Sequence, residues 1–121
     1  MTPATASELA RVGLLASLPG ETLHRLAGAM SRETVPAGGR IVGQGEDGER
    51  FYVVLNGLLA VSQAGLGARR VLRPGDYFGE VALALDIPRT ASVHALTPAT
   101  VASCDRATFD ELLRPLFADD A

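Results

Sequence analysis

Short apolar runs separated by glycine-containing turns occupy the chain from residue 31 to residue 104. Runs this short, with turns roughly every eight to twelve residues, are typical of antiparallel sandwiches and barrels and exclude long core helices from this region. The predicted strands are Glu33–Val35, Arg40–Val42, Phe51–Leu55, Leu58–Ser62, Arg69–Leu72, Ala91–Ala95 and Thr100–Cys104.

The dipeptide Asn56-Gly57 is the strongest turn signal between these strands. Asparagine and glycine both adopt positive φ readily, and between two apolar runs the pair predicts a β-hairpin. Further turns are predicted at Pro36–Gly39, Gly45–Gly48, Gly65–Gly67 and Pro74–Asp76.

Helical patterns flank the β-rich region, so we expect one domain over residues 1–121. Its parts are N-terminal helices in 7–30, a barrel in 31–104 and a C-terminal helix in 105–117. Ser7 and Asp105 are predicted N-caps, Pro19 begins the second helix, and Pro115 limits the last one. The helical apolar positions are Leu9, Val12 and Leu15, then Leu23, Leu26 and Met30, and finally Phe109, Leu112 and Leu113.

Composition limits the partners of this chain. A net charge of −3 does not suit binding to a phosphate backbone, so no nucleic-acid binding by this chain alone is expected. The sequence has no apolar run of the roughly 18 residues that a membrane span needs. Residues 1–6 do not resemble a secretory signal, and Cys104 is the single cysteine. We therefore expect a cytoplasmic protein.

Metal and catalytic signatures are weak. A metal-dependent barrel enzyme would need several converging ligands, yet His24 and His94 are the two histidines and lie in a helix and a late strand. The stretch 43–48 matches G-x-G-x-x-G, but Glu46 and Asp47 would repel a phosphate and a strand follows, which favours a turn. We predict no catalytic residues, no metal and no enzymatic activity.

One segment interrupts the β pattern. Residues 78–86 contain good helix formers, and the start of a short helix within a β scaffold suits an anion near Gly79–Ala82. Gly79 leaves room for close approach to the backbone, Glu80 can accept a hydrogen bond from a sugar hydroxyl, and Arg89 can bind a phosphate. The alternative is a structural salt bridge between Glu80 and Arg89.

This segment resembles the phosphate-binding cassette of the cyclic-nucleotide-binding domain family, which includes the catabolite activator protein, kinase regulatory subunits and cyclic-nucleotide-gated channels. The matching residues are Phe78-Gly79-Glu80-Val81-Ala82-Leu83 and Pro88-Arg89-Thr90-Ala91. Similar positions upstream are Gly38, Gln44-Gly45-Glu46, Phe51-Tyr52-Val53-Val54, Gly57 and Gly75-Asp76. The resemblance implies a mainly β fold with flanking helices, in which a jelly-roll barrel contains a short cassette helix.

The resemblance also implies roles for particular residues. Glu80 would bind the ribose 2′-hydroxyl and Arg89 the cyclic phosphate. Backbone amides from Gly79 to Ala82, together with Thr90 and Ala91, would complete the cradle, and Phe78 is also among the expected ligand-binding residues. Val61, Leu72 and Arg70 are similar to positions that touch the base.

Ligand and output follow from the same resemblance. We expect cyclic AMP to be favoured over cyclic GMP, although the hydroxyl of Thr90 also suits cyclic GMP, and no other cofactor is expected. Relatives continue into a further helix that closes over the base, whereas this chain ends at Ala121. A fused or separate effector is expected, and a homodimer is left open. The alternative function is a ligand-free scaffold that acts through protein contacts.

Overall fold

The computed structural model describes residues 4–65 and 67–117, with the side chains of Ala68 and Arg69 left out. Helices and strands follow the predicted order, except that the short strand Tyr77–Phe78 was not predicted. Three helices come first: α1 (Ala6–Leu9), α2 (Gly13–Ala16) and α3 (Gly20–Ala29). The strands are β1 (Ser31–Val35), β2 (Arg40–Val42), β3 (Arg50–Asn56), β4 (Leu59–Gln63), β5 (Gly67–Leu72), β6 (Tyr77–Phe78), β7 (Ser92–Ala95) and β8 (Ala99–Asp105). A helix α4 (Glu80–Leu85) lies between β6 and β7, and the chain closes with α5 (Arg106–Thr108), a π-helical turn (Phe109–Leu113) and α6 (Arg114–Phe117).

The strands form two four-stranded antiparallel sheets, ordered β1-β8-β3-β6 and β2-β7-β4-β5. This alternation of strands between two facing sheets is the jelly-roll order, which confirms the predicted fold class. The barrel is therefore flattened into a sandwich whose two sheets contribute their inner faces to one core.

Strand β3 is buried on both faces, and this explains its nearly continuous apolar sequence. Phe51 and Val53 point toward the helices, where they join a core cluster with Leu83 and Phe109. The alternate side chains, Tyr52 among them, point toward the other sheet. A strand that is covered by helices on one side and by the other sheet on the opposite side needs apolar residues on both faces.

The predicted hairpin at Asn56-Gly57 is wrong. Gly57 does adopt positive φ (82°), but β3 pairs with β6 and β8, whereas β4 pairs with β5 and β7. The dipeptide therefore carries the chain from one sheet to the other. A Cβ at position 57 would lie 2.4 Å from the carbonyl oxygen of Pro98, so glycine is also needed for close packing.

The predicted helix boundaries are wrong at three places. The first N-cap is Thr5, in a capping box with Glu8, because Ser7 already lies inside α1. The first predicted helix is divided into α1 and α2. Pro115 lies within α6 and does not end the helical segment; the preceding π-helical turn changes the hydrogen-bond register, with the amide of Arg114 donating to Phe109. The cap at Asp105 is confirmed, since its carboxylate accepts from the amide of Thr108 at 2.9 Å.

Among the helices of the described residues, none combines the length and the apolar character needed to cross a membrane.

Candidate functional site

A pocket of about 440 Å³ opens between α4, the segment that follows it, and strands of the second sheet. Its volume is within the range of small-molecule sites. The pocket contains most of the site residues predicted from sequence. Its lining includes Phe78, Gly79, Glu80, Val81, Ala82, Arg89, Thr90 and Ala91, together with Val61 and Arg70.

Helix α4 is placed by a sharp change of backbone direction. Phe78 ends β6, Gly79 is the N-cap with a φ of 97°, and Asp86 ends the helix in the left-handed region. Phe78 therefore belongs to a strand and not to the predicted helix. Its ring stacks on Tyr52 with centroids 4.7 Å apart, which anchors the entry to the helix in the core between the sheets.

Arg89 is 7% exposed although its side chain carries a charge. Its Nη1 donates to the carbonyl of Gly79 at 3.3 Å, and its Nη2 donates to the carbonyl of Arg50 at 2.7 Å. The guanidinium carbon also lies 5.8 Å from the centre of the Tyr52 ring. Burial lowers the pKa of Arg89, as expected for a cation removed from water.

The backbone of Arg89 is held by the turn that follows β2. The amide of Arg89 donates to Glu46 at 2.7 Å, and the amide of Gly45 donates to the carbonyl of Arg89 at 2.8 Å. The stretch with the G-x-G-x-x-G pattern is thus a turn between strands, as predicted, and it fixes the position of the arginine backbone. The buried arginine is fixed by both its main chain and its side chain.

Glu80 begins α4 and lines the same pocket. Burial raises the pKa of its carboxyl group, and the amides of Glu80 and Val81 and the guanidinium groups of Arg70 and Arg89 partly offset this effect. The ion pairs recorded for residues 4–65 and 67–117 include none between Glu80 and Arg89. The alternative of a closing salt bridge therefore finds no support in the geometry.

Two glycines allow Arg89 and α4 to approach the rest of the site. A Cβ at Gly79 would lie 2.7 Å from Nη1 of Arg89, and a Cβ at Gly48 would lie 2.4 Å from the Cβ of Ala82. Real Cβ atoms do not make contacts this short. Any side chain at either position would displace the arginine or the helix.

The three predicted base-contacting residues have different positions. Val61 and Arg70 face each other in the register of β4 and β5 and both line the pocket. Leu72 is 0% exposed and lies in the core between the sheets, outside the pocket lining. Leu72 shares a strand face with Arg70, but two residues further along the strand that face is covered by the other sheet, so the structure does not bring Leu72 to the pocket lining.

Sequence reasoning missed four pocket residues: Val42, Gln63, Tyr77 and Val93. The two-residue period of a strand could have identified Gln63, because it lies on the same face of β4 as Val61. Val93 is the register partner of Val61 on β7, and that pairing is a tertiary fact.

The C-terminal helical residues contact the end of α4. Arg106 donates to the carbonyl of Leu83 at 3.3 Å and to that of Gly48 at 3.2 Å, and it pairs with Asp86 at 3.3 Å. Arg114 donates to the carbonyls of Leu83 and Ala84 at 3.3 and 3.4 Å. Cations near the C-terminus of a helix are favourable because the terminal carbonyls carry partial negative charge.

The pocket lining has a net positive formal charge. The charged residues of its lining are Arg70, Glu80 and Arg89, which gives a formal charge of +1 from two cations and one anion. Elsewhere in the described part of the chain, no group of three His, Cys, Asp or Glu side chains is arranged to hold a metal ion. The site is suited to a small ligand with an anionic group and a polar, uncharged part.

Residues 32–115 match the family model described as "Cyclic nucleotide-binding domain". This chain belongs to that family. A cAMP-dependent protein kinase regulatory subunit from Debaryomyces hansenii is 44% identical over 104 residues, which cover 86% of this chain and 23% of the relative. The matched part of this chain therefore spans less than a quarter of the length of that regulatory subunit.

Solved structures give the same result for the fold. The regulatory domain of Toxoplasma gondii PKA, in a co-crystal structure with cAMP, matches with a TM-score of 0.86 and 33% identity over 92% of this chain and 44% of the other. The regulatory subunit of a cAMP-independent protein kinase A from Trypanosoma cruzi, bound to guanosine, matches with a TM-score of 0.84 and 27% identity over 91% and 40%. The fold thus occurs in relatives with different ligands.

Proposed function

We propose that this chain is a regulatory domain that binds a cyclic nucleoside monophosphate and does no chemistry on it. The observation that carries the proposal is the 7% exposed Arg89 in a pocket with a formal charge of +1. A buried cation is costly unless it is paired, so the site favours a ligand with a single negative charge. A cyclic phosphodiester has that charge at neutral pH.

Each polar group of the pocket has a role in this proposal. Arg89 binds the cyclic phosphate, and its two bonds to main-chain carbonyls hold the guanidinium in place before the ligand arrives. Glu80 accepts a hydrogen bond from the ribose 2′-hydroxyl. Thr90 and Ala91 complete the phosphate side, while Val61, Val93 and Arg70 surround the base.

Cyclic AMP is the favoured ligand over cyclic GMP in our proposal. The names of the Debaryomyces and Toxoplasma relatives both refer to cyclic AMP, and the pocket has apolar strand residues where a purine would lie. Thr90 is exposed and lines the pocket. Because its hydroxyl also suits cyclic GMP, cyclic GMP is the second candidate ligand. Guanosine must be included in any comparison because a related domain binds it.

Titration calorimetry of the folded chain with cyclic AMP, cyclic GMP and guanosine tests the proposal. We expect binding of both cyclic nucleotides, and Arg89→Ala should weaken it by about 10- to 100-fold, because a charge-assisted hydrogen bond contributes about 1.5–3 kcal/mol. Arg73→Ala is the matched control, since Arg73 is exposed and lies outside the pocket lining. Arg73→Ala should retain the affinity of the unaltered chain.

Three outcomes would contradict the proposal in different ways. Absence of heat with either cyclic nucleotide would favour the ligand-free scaffold, which acts through protein contacts. Equal losses in Arg89→Ala and Arg73→Ala would point to a nonspecific charge effect. Tighter binding of guanosine than of either cyclic nucleotide would assign the site to an uncharged nucleoside.

The output of binding belongs to an effector, either fused to this domain or separate from it. The contacts of Arg106 and Arg114 with the end of α4 support a route by which the site influences the C-terminal helices. A ligand can shift such an arrangement only by its difference in affinity for two states. Sedimentation with and without cyclic AMP tests whether a second copy of the domain is one of the partners.

A further inference from the structure

The segment between α4 and β7 carries Arg89 and Thr90 but forms neither helix nor strand. On one side it is held by the main-chain hydrogen bonds of Arg89 with Gly45 and Glu46. A ligand-binding segment without regular structure needs such restraints, because ordering it during binding would reduce the affinity.

A side chain of the second sheet holds the other side of this segment. Gln63 is the last residue of β4, and its Nε2 donates to the carbonyl of Thr90 at 3.0 Å. The register explains how it reaches this carbonyl: Ser62 is opposite Ser92, so antiparallel pairing places Gln63 next to the residues that precede β7. Gln63 is half-buried and also lines the pocket.

We propose that Gln63 is a positioning residue that fixes segment 89–91 for ligand binding. This inference rests on the proposed function of the pocket. Segment 89–91 lies between two restraints: the turn at Gly45 and Glu46 holds both main-chain groups of Arg89, and the side-chain amide of Gln63 holds the carbonyl of Thr90. Removing the second restraint leaves Thr90 free to move away from the phosphate position, and part of the binding energy is then used to order it.

Gln44 provides a matched control on the same side of the molecule. Its Oε1 accepts a hydrogen bond from the amide of Ala64 at 2.8 Å, so it also makes a side-chain to main-chain bond. Gln44 lies outside the lining of the pocket. Gln44→Ala and Gln63→Ala each remove a carboxamide and one side-chain to main-chain hydrogen bond, but of these two bonds only that of Gln63 restrains segment 89–91.

Calorimetry with cyclic AMP and cyclic GMP should separate the two variants. We expect Gln63→Ala to weaken both ligands by about 2- to 10-fold, the effect of one neutral hydrogen bond, and Gln44→Ala to stay within about 2-fold of the unaltered chain. Gln63→Ala combined with Thr90→Ala should lose less than the product of the two single losses, because the contribution of Thr90 depends on its position.

Amide hydrogen exchange of the ligand-free chain gives an independent measurement. Exchange at the amide of Arg89, which donates to Glu46, should be faster in Gln63→Ala and unchanged in Gln44→Ala. If Gln63→Ala does not fold, Gln63→Met keeps an unbranched side chain of similar length without the donor.

The outcomes separate this inference from the proposed function. No heat from the unaltered chain would overturn the proposed function. Binding by the unaltered chain with equal affinities in the Gln63 and Gln44 variants would overturn this inference alone. Losses that multiply in the double variant, with unchanged exchange at Arg89, would also overturn it, because Gln63 would then act without positioning the segment.

Discussion

Glu80 and Arg89 show how burial acts on single residues with opposite charge. Both are removed from water in the same pocket, so the pKa of Glu80 is raised and that of Arg89 is lowered. Neither change comes from a salt bridge between the two in the described structure. The two groups are left to interact with a ligand that has a hydroxyl for one and a negative charge for the other.

The raised pKa of Glu80 predicts how stability depends on pH. The folded state binds a proton at Glu80 more readily than the unfolded state, so the free energy of unfolding falls as pH rises from the ordinary glutamate pKa through the raised value. Above that window the full cost of burying the charge is present. Glu80→Gln should therefore make the ligand-free chain more stable at neutral pH, while weakening binding of cyclic AMP.

Urea denaturation from acidic to neutral pH measures this effect. Glu33→Gln is the control, because Glu33 is exposed on β1. The difference between Glu80→Gln and the unaltered chain should grow as pH rises through the window and then level off. Parallel curves for the two proteins at every pH would contradict the explanation by burial.

At the scale of elements, the turn after β2 packs closely against α4. Gly48 lies where a Cβ would come within 2.4 Å of the Cβ of Ala82 and 3.3 Å of the Cζ of Arg89. Its carbonyl also accepts from Arg106 at 3.2 Å. The turn after β2, helix α4 and the C-terminal helices therefore meet at Gly48, which has no side chain.

Gly48→Ala should disturb this junction. We expect the variant to lose about 1–3 kcal/mol of unfolding free energy and to bind cyclic AMP more weakly, because Ala82 and Arg89 must both shift. Gly28→Ala is the matched control: Gly28 lies inside α3 with open space around it, so alanine should stabilise the chain by about 0.5–1 kcal/mol. Urea denaturation and calorimetry check both variants, and an unchanged affinity in Gly48→Ala would contradict this account of the junction.

The whole molecule has two core clusters that share β3. One lies between the sheets, and the other lies between β3, β8 and the flanking helices. In the second cluster Phe109 is fully buried, with ring centroids 5.5 Å from Phe51 and 5.6 Å from Phe117. The C-terminal helical residues are thus part of the core, and this packing holds them in place where they contact α4.

Phe109→Ala should destabilise the whole domain. Removing a fully buried phenylalanine costs about 3–5 kcal/mol, from lost apolar burial and from the cavity that remains. Leu85→Ala is the control, because Leu85 is 64% exposed at the end of α4 and should change stability by about 0.5 kcal/mol or less. Guanidinium denaturation measures both, and a loss below about 1 kcal/mol in Phe109→Ala would contradict this assignment of the core.

The sequence by itself determined the local features of this protein. Short apolar runs, positive-φ glycines and the cap at Asp105 depend on neighbouring residues alone, and they predicted seven of the eight strands and the last helical segment. The Phe78–Ala91 pattern likewise identified the family and most of the pocket. These features are readable because a turn, a cap or a short motif is set by a few consecutive side chains.

Tertiary structure decided the pairing of strands and the surroundings of side chains. Asn56-Gly57 predicted a hairpin, but the flanking strands β3 and β4 belong to different sheets. Strand pairing depends on how all eight strands are buried together. Leu72 and Arg70 share a strand face, yet the opposite sheet covers one and leaves the other at the pocket. The bond from Gln63 to Thr90 joins residues that are distant in the chain, and only the packed fold brings them together.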